Sequence, residues 1–551
     1  MHSRGLSETG VYGMTVLPDA LPGTAGLCWF AMQRLPPLLE AFAKEIAGIR
    51  TGEDSEYIHR MRVASRRLRA ALPLFRSCFP AKQYSRWMLE IATITRALGN
   101  ARDADVQIAF LVKNRKKSSA VQNKKNPGGS PQENPLEPAI AHLMKDLKKS
   151  RQQLQDRVLS ALDSLEKSGI IEEMRAAFAL RMVSCRRTPV LSAAYGIPTI
   201  AALRIVSRLT TMCSFADWVS HADAVAEHHA MRIAAKKLRY TMEVYGPVYK
   251  RGLKRSHAQV RNLQDILGEL HDCDVWIDHV TRLLLRERGR MRGVRSDKHP
   301  DTATLASLRL FLAARERERA LLHRRFMRYW QSLEDKKAWE VLCNATTDGR
   351  RQRFIPAGEG TKKDISAACN ALAATYPEGL FHHRTVTRLA LMLFDSLLPL
   401  HALTRHDRNL LECAAMLHDV GLQDGARKHN VRSARWIFSE ESLPLDIRDR
   451  SIAGLVALAH RGQMKIDSHP LFLLLPPGDR KKTLLLSGIL RVADGLDYLH
   501  NGTVQEVHCI IGEAEITCDI ISHSDCTKEK EQAGSKSALF TREFGRELVI
   551  R

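Results

Sequence analysis

Apolar positions between residues 61 and 75 recur at helical spacing. Met61, Ala64, Leu68, Leu72 and Phe75 fall on one side of a helix, and His59, Arg62, Arg66 and Arg69 fall on the other. These four, at i, i+3, i+7 and i+10, make one continuous stripe at about 100° per residue. The same pattern returns about 170 residues later, with Met231, Ala234, Leu238, Met242 and Tyr245 opposite His229, Arg232, Lys236 and Arg239. Each copy predicts a helix with one packing face and one purely cationic face. A second motif is also written twice, as Leu98-Gly99-Asn100-Ala101-Arg102-Asp103-Ala104-Asp105-Val106 and Leu267-Gly268-Glu269-Leu270-His271-Asp272-Cys273-Asp274-Val275. It follows the first at offsets of 40 residues (His59 to Gly99) and 39 residues (His229 to Gly268). Two motifs repeating in step mark an internal duplication whose halves share a fold.

Around these anchors the pattern predicts a mostly α-helical chain. Residues 1–30 read as a loose tail, followed by a helix from Leu35 to Ile46 with Pro36-Pro37 in its first turn. The first stripe helix begins near Asp54-Ser55 as an N-cap. Lys113 to Pro138 reads as a linker between the halves, and Arg286 to Asp301 as a second polar break before a long helix from about Thr304 to Leu333. The stretch 346–364, with Arg350-Arg351-Gln352-Arg353 and a Pro/Gly cluster, marks the main boundary between residues 31–345 and 365–551. In the latter, a helix is predicted over Leu380 to Leu398, and another ends at His418-Asp419. After Asp497 the pattern turns to alternation, predicting a hairpin of Val504–Ile511 and 514–521 and a third strand near Glu547, with Ser522 to Lys536 as a loop.

Charge sharpens this division. The net charge is +23, yet residues 365–551 hold 22 Lys+Arg against 23 Asp+Glu, so residues 1–364 carry +24. One part is built for a polyanion and the other is not. No Asp or Glu interrupts 57–89 or 228–242, and Arg62/Arg66 and Arg232/Lys236 are like-charge i,i+4 pairs that cost a few tenths of a kcal/mol each. A solvated helix face mixes its signs, so these two faces imply an anion. Arginine suits phosphate because its guanidinium donates in a plane and stays charged. Aromatics for base stacking are not interleaved with the stripes, which disfavours nucleic acid. Eleven cysteines without a C-x-x-C pair fit free thiols, and no apolar run approaches a membrane span, so a cytoplasmic protein is expected.

The paired stripe helices with their later L-G-x-x-x-D-x-D-V segments resemble the CHAD domain, the conserved-histidine α-helical domain, over residues 31–345. That resemblance implies two pseudo-symmetric helical bundles whose basic faces line a groove for inorganic polyphosphate. His59, Arg62, Arg66, Arg69, His229, Arg232, Lys236 and Arg239 would be the groove residues, with Arg204 and Arg208 adding charge from a helix between them. The duplicated acids Asp103/Asp105 and Asp272/Asp274 read better as partners that orient arginines than as metal ligands.

Residues 365–551 carry His382 on a helix, the adjacent pair His418-Asp419 at an apolar helix end, and Asp494 further on. The pair resembles the dyad of the HD superfamily, in which neighbouring imidazole and carboxylate reach one divalent cation from a helix end. His418 and Asp419 are the implied catalytic pair, and His382, His418, Asp419 and Asp494 the implied set for a divalent metal whose identity the sequence leaves open. His429 and His460 sit where binuclear relatives place extra ligands, and read equally as phosphate-facing or structural histidines. The region is similar to the C-terminal HD-like domain of the exopolyphosphatase and guanosine pentaphosphatase family. It departs from that family in lacking the actin-like catalytic domain, and in carrying Arg432 where those relatives place a histidine before the serine. The expected function is polyphosphate binding joined to a metal-dependent phosphohydrolase acting on polyphosphate or a phosphorylated nucleotide. The alternative is a non-enzymatic polyphosphate-binding protein whose HD domain is structural.

Overall fold

The computed structural model describes residues 25–51, 55–125, 134–187, 197–249, 252–290, 302–347, 363–440, 443–462 and 466–551. It is mostly helical, with a small three-stranded sheet near the C-terminus. Two compact units emerge, residues 1–106 with 150–194, and residues 107–149 with 195–551.

In the first unit the stripe helix Ser55–Ala71 buries the predicted apolar face, with Met61 and Leu68 fully enclosed, and Leu72 and Phe75 are fully enclosed in the 3-10 segment Leu72–Cys78 that follows it. The expected cap at Asp54 lies outside the described residues. The preceding helix runs Ala25–Ala43, so helical structure starts inside the stretch read as tail, and Pro36 and Pro37 are interior rather than in a first turn. Cys28, Ala31, Met32, Leu35, Leu39 and Phe42 are all buried at helical spacing, and this packing face carries the helix past its two missing N–H donors. Trp87 is fully buried and meets Phe79 and Phe178 edge-on at 5.0 and 5.8 Å between ring centroids. Cys28 and Cys78 are bonded to each other, with Cα atoms 5.3 Å apart, which corrects the expectation of free thiols at that pair. Their 50-residue separation carries no local signature, and the fold alone makes them neighbours. The other nine cysteines are free.

Helix Ala81–Lys125 continues into the stretch read as a linker, and its end belongs to the second unit. There Leu111 joins Ile140, Leu143, Trp276, Val280, Leu308 and Phe311 in one apolar cluster. The second stripe helix, Val225–Tyr245, buries Met231, Ala234, Leu238, Met242 and Tyr245, the counterpart of the first. It packs between Ile197–Cys213 and Lys254–Arg290. Ala202, Leu203 and Val206 of the Ile197–Cys213 helix continue into the core of residues 365–551, so the second repeat and the C-terminal region share one apolar interior.

That interior is walled by helices Leu380–Ser396, Arg405–Leu417, His429–Ser439, Ile447–Ala459 and Pro477–Gly495. Arg405–Leu417 starts with a capping box in which Thr404 and Asp407 satisfy each other's backbone N–H. Strand β1 (Val504–Ile511) pairs antiparallel with β2 (Glu515–Ser522), and β3 (Glu547–Ile550) pairs parallel with β2. The segment 522–536 expected as a loop instead holds helix Thr527–Ser535, and a second helix, Ala538–Phe544, follows it. Its polar surface hides a sparse packing face in which Ala533 and Phe540 are fully buried. Among the described residues no helix is long and apolar enough to cross a membrane.

Candidate metal centre and cationic stripes

Four histidines and two aspartates from five helices or their ends converge in the C-terminal region, all at most 7% exposed. His382 lies in the first turn of Leu380–Ser396. His418 and Asp419 end the Arg405–Leu417 helix, His429 opens His429–Ser439, His460 ends Ile447–Ala459, and Asp494 lies near the end of Pro477–Gly495. Each helix is therefore anchored by its apolar face while its terminus or first turn delivers a polar side chain.

The hydrogen bonds fix which imidazole nitrogen faces inward. Nδ1 of His382 lies 2.7 Å from Oδ2 of Asp497, whose other oxygen accepts the Gly502 N–H. Nδ1 of His418 lies 2.7 Å from the Ala415 carbonyl, Nδ1 of His460 lies 2.7 Å from that of Ala457, and Nδ1 of His429 lies 3.0 Å from that of Ala426. Carbonyls and carboxylates only accept, so Nδ1 of His382, His418 and His460 carries a hydrogen and Nε2 is the atom turned inward, while at His429 the donor-only guanidinium of Arg461 also lies 3.1 Å from Nδ1. All four Nε2 atoms point at carboxylates. His382 and His418 lie 3.5 and 3.6 Å from Oδ1 of Asp494, and 3.8 and 3.7 Å from Oδ2 of Asp419. His429 and His460 lie 3.0 and 3.2 Å from Oδ1 of Asp419, and 3.1 Å from each other.

Imidazole nitrogens and carboxylate oxygens at these distances need a proton or cation among them. Nε2 of His382 and Nε2 of His418 are buried and lie no closer than 3.5 Å to any carboxylate oxygen, the condition expected of ligand atoms. Two donor groups result, His382/His418/Asp419 and Asp419/His429/His460, with Asp419 common to both. The residue types and their outer partners fit divalent cations that accept imidazole and carboxylate together. Burial opposes ionisation of Asp419, but the neighbouring His418, His429 and His460 outweigh it and hold its carboxyl far below the usual range. Burial likewise lowers the His382 pKa, while Asp494 and Asp497 overcome it and raise the group to about 9.

The loop after the dyad is tightly built. A Cβ at Gly421 would come within 2.4 Å of the His429 carbonyl oxygen and 2.7 Å of the Ser433 nitrogen. The Gly421 N–H donates to Ser433 Oγ at 2.9 Å, and Arg432 donates to the carbonyls of Gly421 and Gly425. Arg432 therefore braces this loop, and the second donor group is completed by His429 and His460 without a histidine at 432.

The stripes are half-buried rather than fully exposed. Arg62 donates to Asp103 at 2.9 Å, and Arg151 donates to Asp105 at 2.7 Å. In the second repeat Arg319 pairs with Asp274 in the position corresponding to Arg151 and Asp105. Asp103, Asp105 and Asp274 thus pair with arginines, as the sequence suggested. Gly99 and Gly268 lie beside Nε of Arg62 and of Arg232 in their respective repeats, at distances where a Cβ would make only ordinary contact. His229 and His271 lie against each other with tilted rings, their centroids 4.4 Å apart and their Nδ1 atoms 3.2 Å apart. Arg239 is held by Gln264 and Glu243, each at 2.9 Å. Arg204 and Arg208 lie on the Ile197–Cys213 helix, half-buried.

Comparison with known families matches residues 33–281 to the CHAD domain and residues 380–499 to the HD domain. The chain carries a CHAD domain followed by an HD domain. A crystal structure of the CHAD domain from the plant Ricinus communis is similar at 18% identity and a TM-score of 0.35, over 63% of this chain and 99% of that one. No curated protein matches the chain.

Within the HD domain, the structure brings His382, His418, Asp419, Asp494, His429 and His460 together. Sequence reasoning missed Asp497, which holds His382 from three residues beyond Asp494, in the turn after that helix. It also missed His500, whose ring stacks on His382 at 3.7 Å, and Lys536, whose ammonium lies 2.6 Å from Asp494 Oδ2. Lys536 lies beyond the residues matched to the HD domain, in a stretch read as a loop without chemistry.

Proposed function

We propose that this chain binds inorganic polyphosphate through its CHAD domain and hydrolyses a phosphate compound at a divalent-metal centre in its HD domain. The observation that carries the second part is the inward convergence of four imidazole Nε2 atoms on two carboxylates, each imidazole held by a contact at its other nitrogen. His382, His418, Asp419 and Asp494 would hold one cation, and His429 and His460 would hold a second with Asp419 between them. Such ions supply a Lewis acid for a phosphoryl oxygen and lower the pKa of water. The chain's own part is to fix the ligands: Asp497 orients His382, backbone carbonyls orient the other three imidazoles, and the buried walls limit bulk water.

Binding by the CHAD domain rests on the duplicated cationic faces. His59, Arg62, Arg66 and Arg69 in one repeat and His229, Arg232, Lys236 and Arg239 in the other gather cationic donors on one face of each helix, a surface that phosphate oxygens would fit beside the carboxylates already pairing Arg62 and Arg239. Arg204 and Arg208 add to that charge. Polyphosphate is the substrate that joins the two parts most simply. The experiment is a hydrolysis screen of polyphosphate and phosphorylated nucleotides by the full chain, with and without divalent ions, beside Asp419→Ala. Divalent-dependent release of phosphate, absent from the variant, is expected. Retained activity in Asp419→Ala would remove this centre from the reaction.

A further inference from the structure

The C-terminal segment 527–544 lies outside the residues matched to the HD domain, yet it is built into the helix that carries Asp494. Two glycines one heptad apart permit the close approach. A Cβ at Gly495 would lie 2.5 Å from the Ala533 Cα, and one at Gly488 would lie 3.0 Å from the Phe540 Cα. Arg491, between them, donates to the backbone carbonyl of Lys536 at 3.2 Å, and to those of Ala459 and Gly462 at 2.9 and 3.0 Å. One guanidinium thus ties the backbone of Lys536 to the residues flanking His460. From the junction of its two helices Lys536 extends its ammonium to Oδ2 of Asp494 at 2.6 Å, with its side chain 22% exposed.

The two oxygens of Asp494 therefore have separate roles. Oδ1 faces Nε2 of His382 and of His418, and Oδ2 faces Lys536. We propose that Lys536 is a positioning residue of the HD centre, holding Asp494 through Oδ2 so that Oδ1 alone is presented to a cation between His382 and His418. The proposal rests on the metal reading given above and adds a residue from outside the HD domain to that centre. Without Lys536 the carboxylate, 7% exposed, would keep Oδ2 desolvated and without this donor, free to rotate. Rotation takes Oδ1 away from the cation's place. Removing an outer partner of a metal ligand typically costs about 10- to 100-fold in affinity or activity.

The test is Mn²⁺ binding by the full chain, read as the midpoint of a titration, in the parent, Lys536→Met, Lys536→Gln and Lys536→Arg. Helical content by circular dichroism identifies variants that fold. The midpoint is expected to rise about tenfold in Lys536→Met and in Lys536→Gln, with Lys536→Arg recovering most of the loss because it keeps a charged donor. Parent-like midpoints in folded Lys536→Met or Lys536→Gln overturn the proposal and leave the metal reading standing. No Mn²⁺ binding by the parent overturns both. Hydrolysis adds a second readout: kcat should fall with little change in KM, a split that a purely structural lysine would not give.

Discussion

Asp497 shows how one buried carboxylate can decide the chemistry of another residue. It is fully enclosed, holds Nδ1 of His382 at 2.7 Å, and so turns Nε2 toward Asp419 and Asp494. Asp497→Asn can still accept from that nitrogen but no longer carries the charge that makes the imidazole a strong donor. Divalent affinity is expected to fall about 10- to 100-fold, measured by titration of the folded variant. On a different part of the same domain, His406 lies 2.8 Å from Asp449, and this hydrogen bond raises its pKa above the ordinary value despite partial burial. A raised histidine pKa stabilises the fold fully below the unfolded value of about 6.5, and the contribution is lost as pH rises through the folded value. The stability deficit of His406→Gln relative to the parent is therefore expected to be larger at pH 6 than at pH 9, read from urea unfolding midpoints. At this scale much of the centre was legible, because His418-Asp419 is contiguous and His382 and Asp494 keep recognisable surroundings. Lys536 was not, because nothing near it in sequence distinguishes it from the other lysines of a polar stretch.

Elements were legible where one face is apolar and the other charged. Both stripe helices bury the residues expected, since Met61 and Leu68 or Met231 and Leu238 have no other way to leave water. The C-terminal helices were not legible, because Thr527–Ser535 offers only one fully enclosed apolar side chain, and its position depends on glycines 38 or more residues upstream. Gly495→Ala makes that dependence measurable. The added methyl meets the Ala533 backbone and forces the segment away, at a cost of about 1–3 kcal/mol seen as a lower unfolding midpoint. The stripes make a separate prediction. Arg62→Ala combined with Arg232→Ala should weaken polyphosphate binding and flatten its dependence on salt, because fewer counterions are released. An unchanged slope in a salt titration would remove the stripes from the binding surface.

At the scale of the molecule, the charge division located the change of character near residue 364 but gave no hint that the two sides share a core. Leu203 and Val206 belong to the second CHAD repeat by sequence and to the HD interior by packing. Leu203 is 1% exposed, and Leu203→Ala is expected to cost about 2–5 kcal/mol. If the core is shared, the metal-binding and second-repeat regions should lose structure in one transition whose midpoint this variant lowers for both. Two separate transitions, with only one displaced, would contradict that continuity. The reading as a whole turns on whether the HD centre holds metal. The direct measurement is the number of divalent ions bound per chain at equilibrium, in the parent, Asp419→Ala and His460→Ala. Two ions in the parent, one in His460→Ala and a loss at both positions in Asp419→Ala are expected. A parent chain that binds none, or an Asp419→Ala chain that binds as many as the parent, would contradict it.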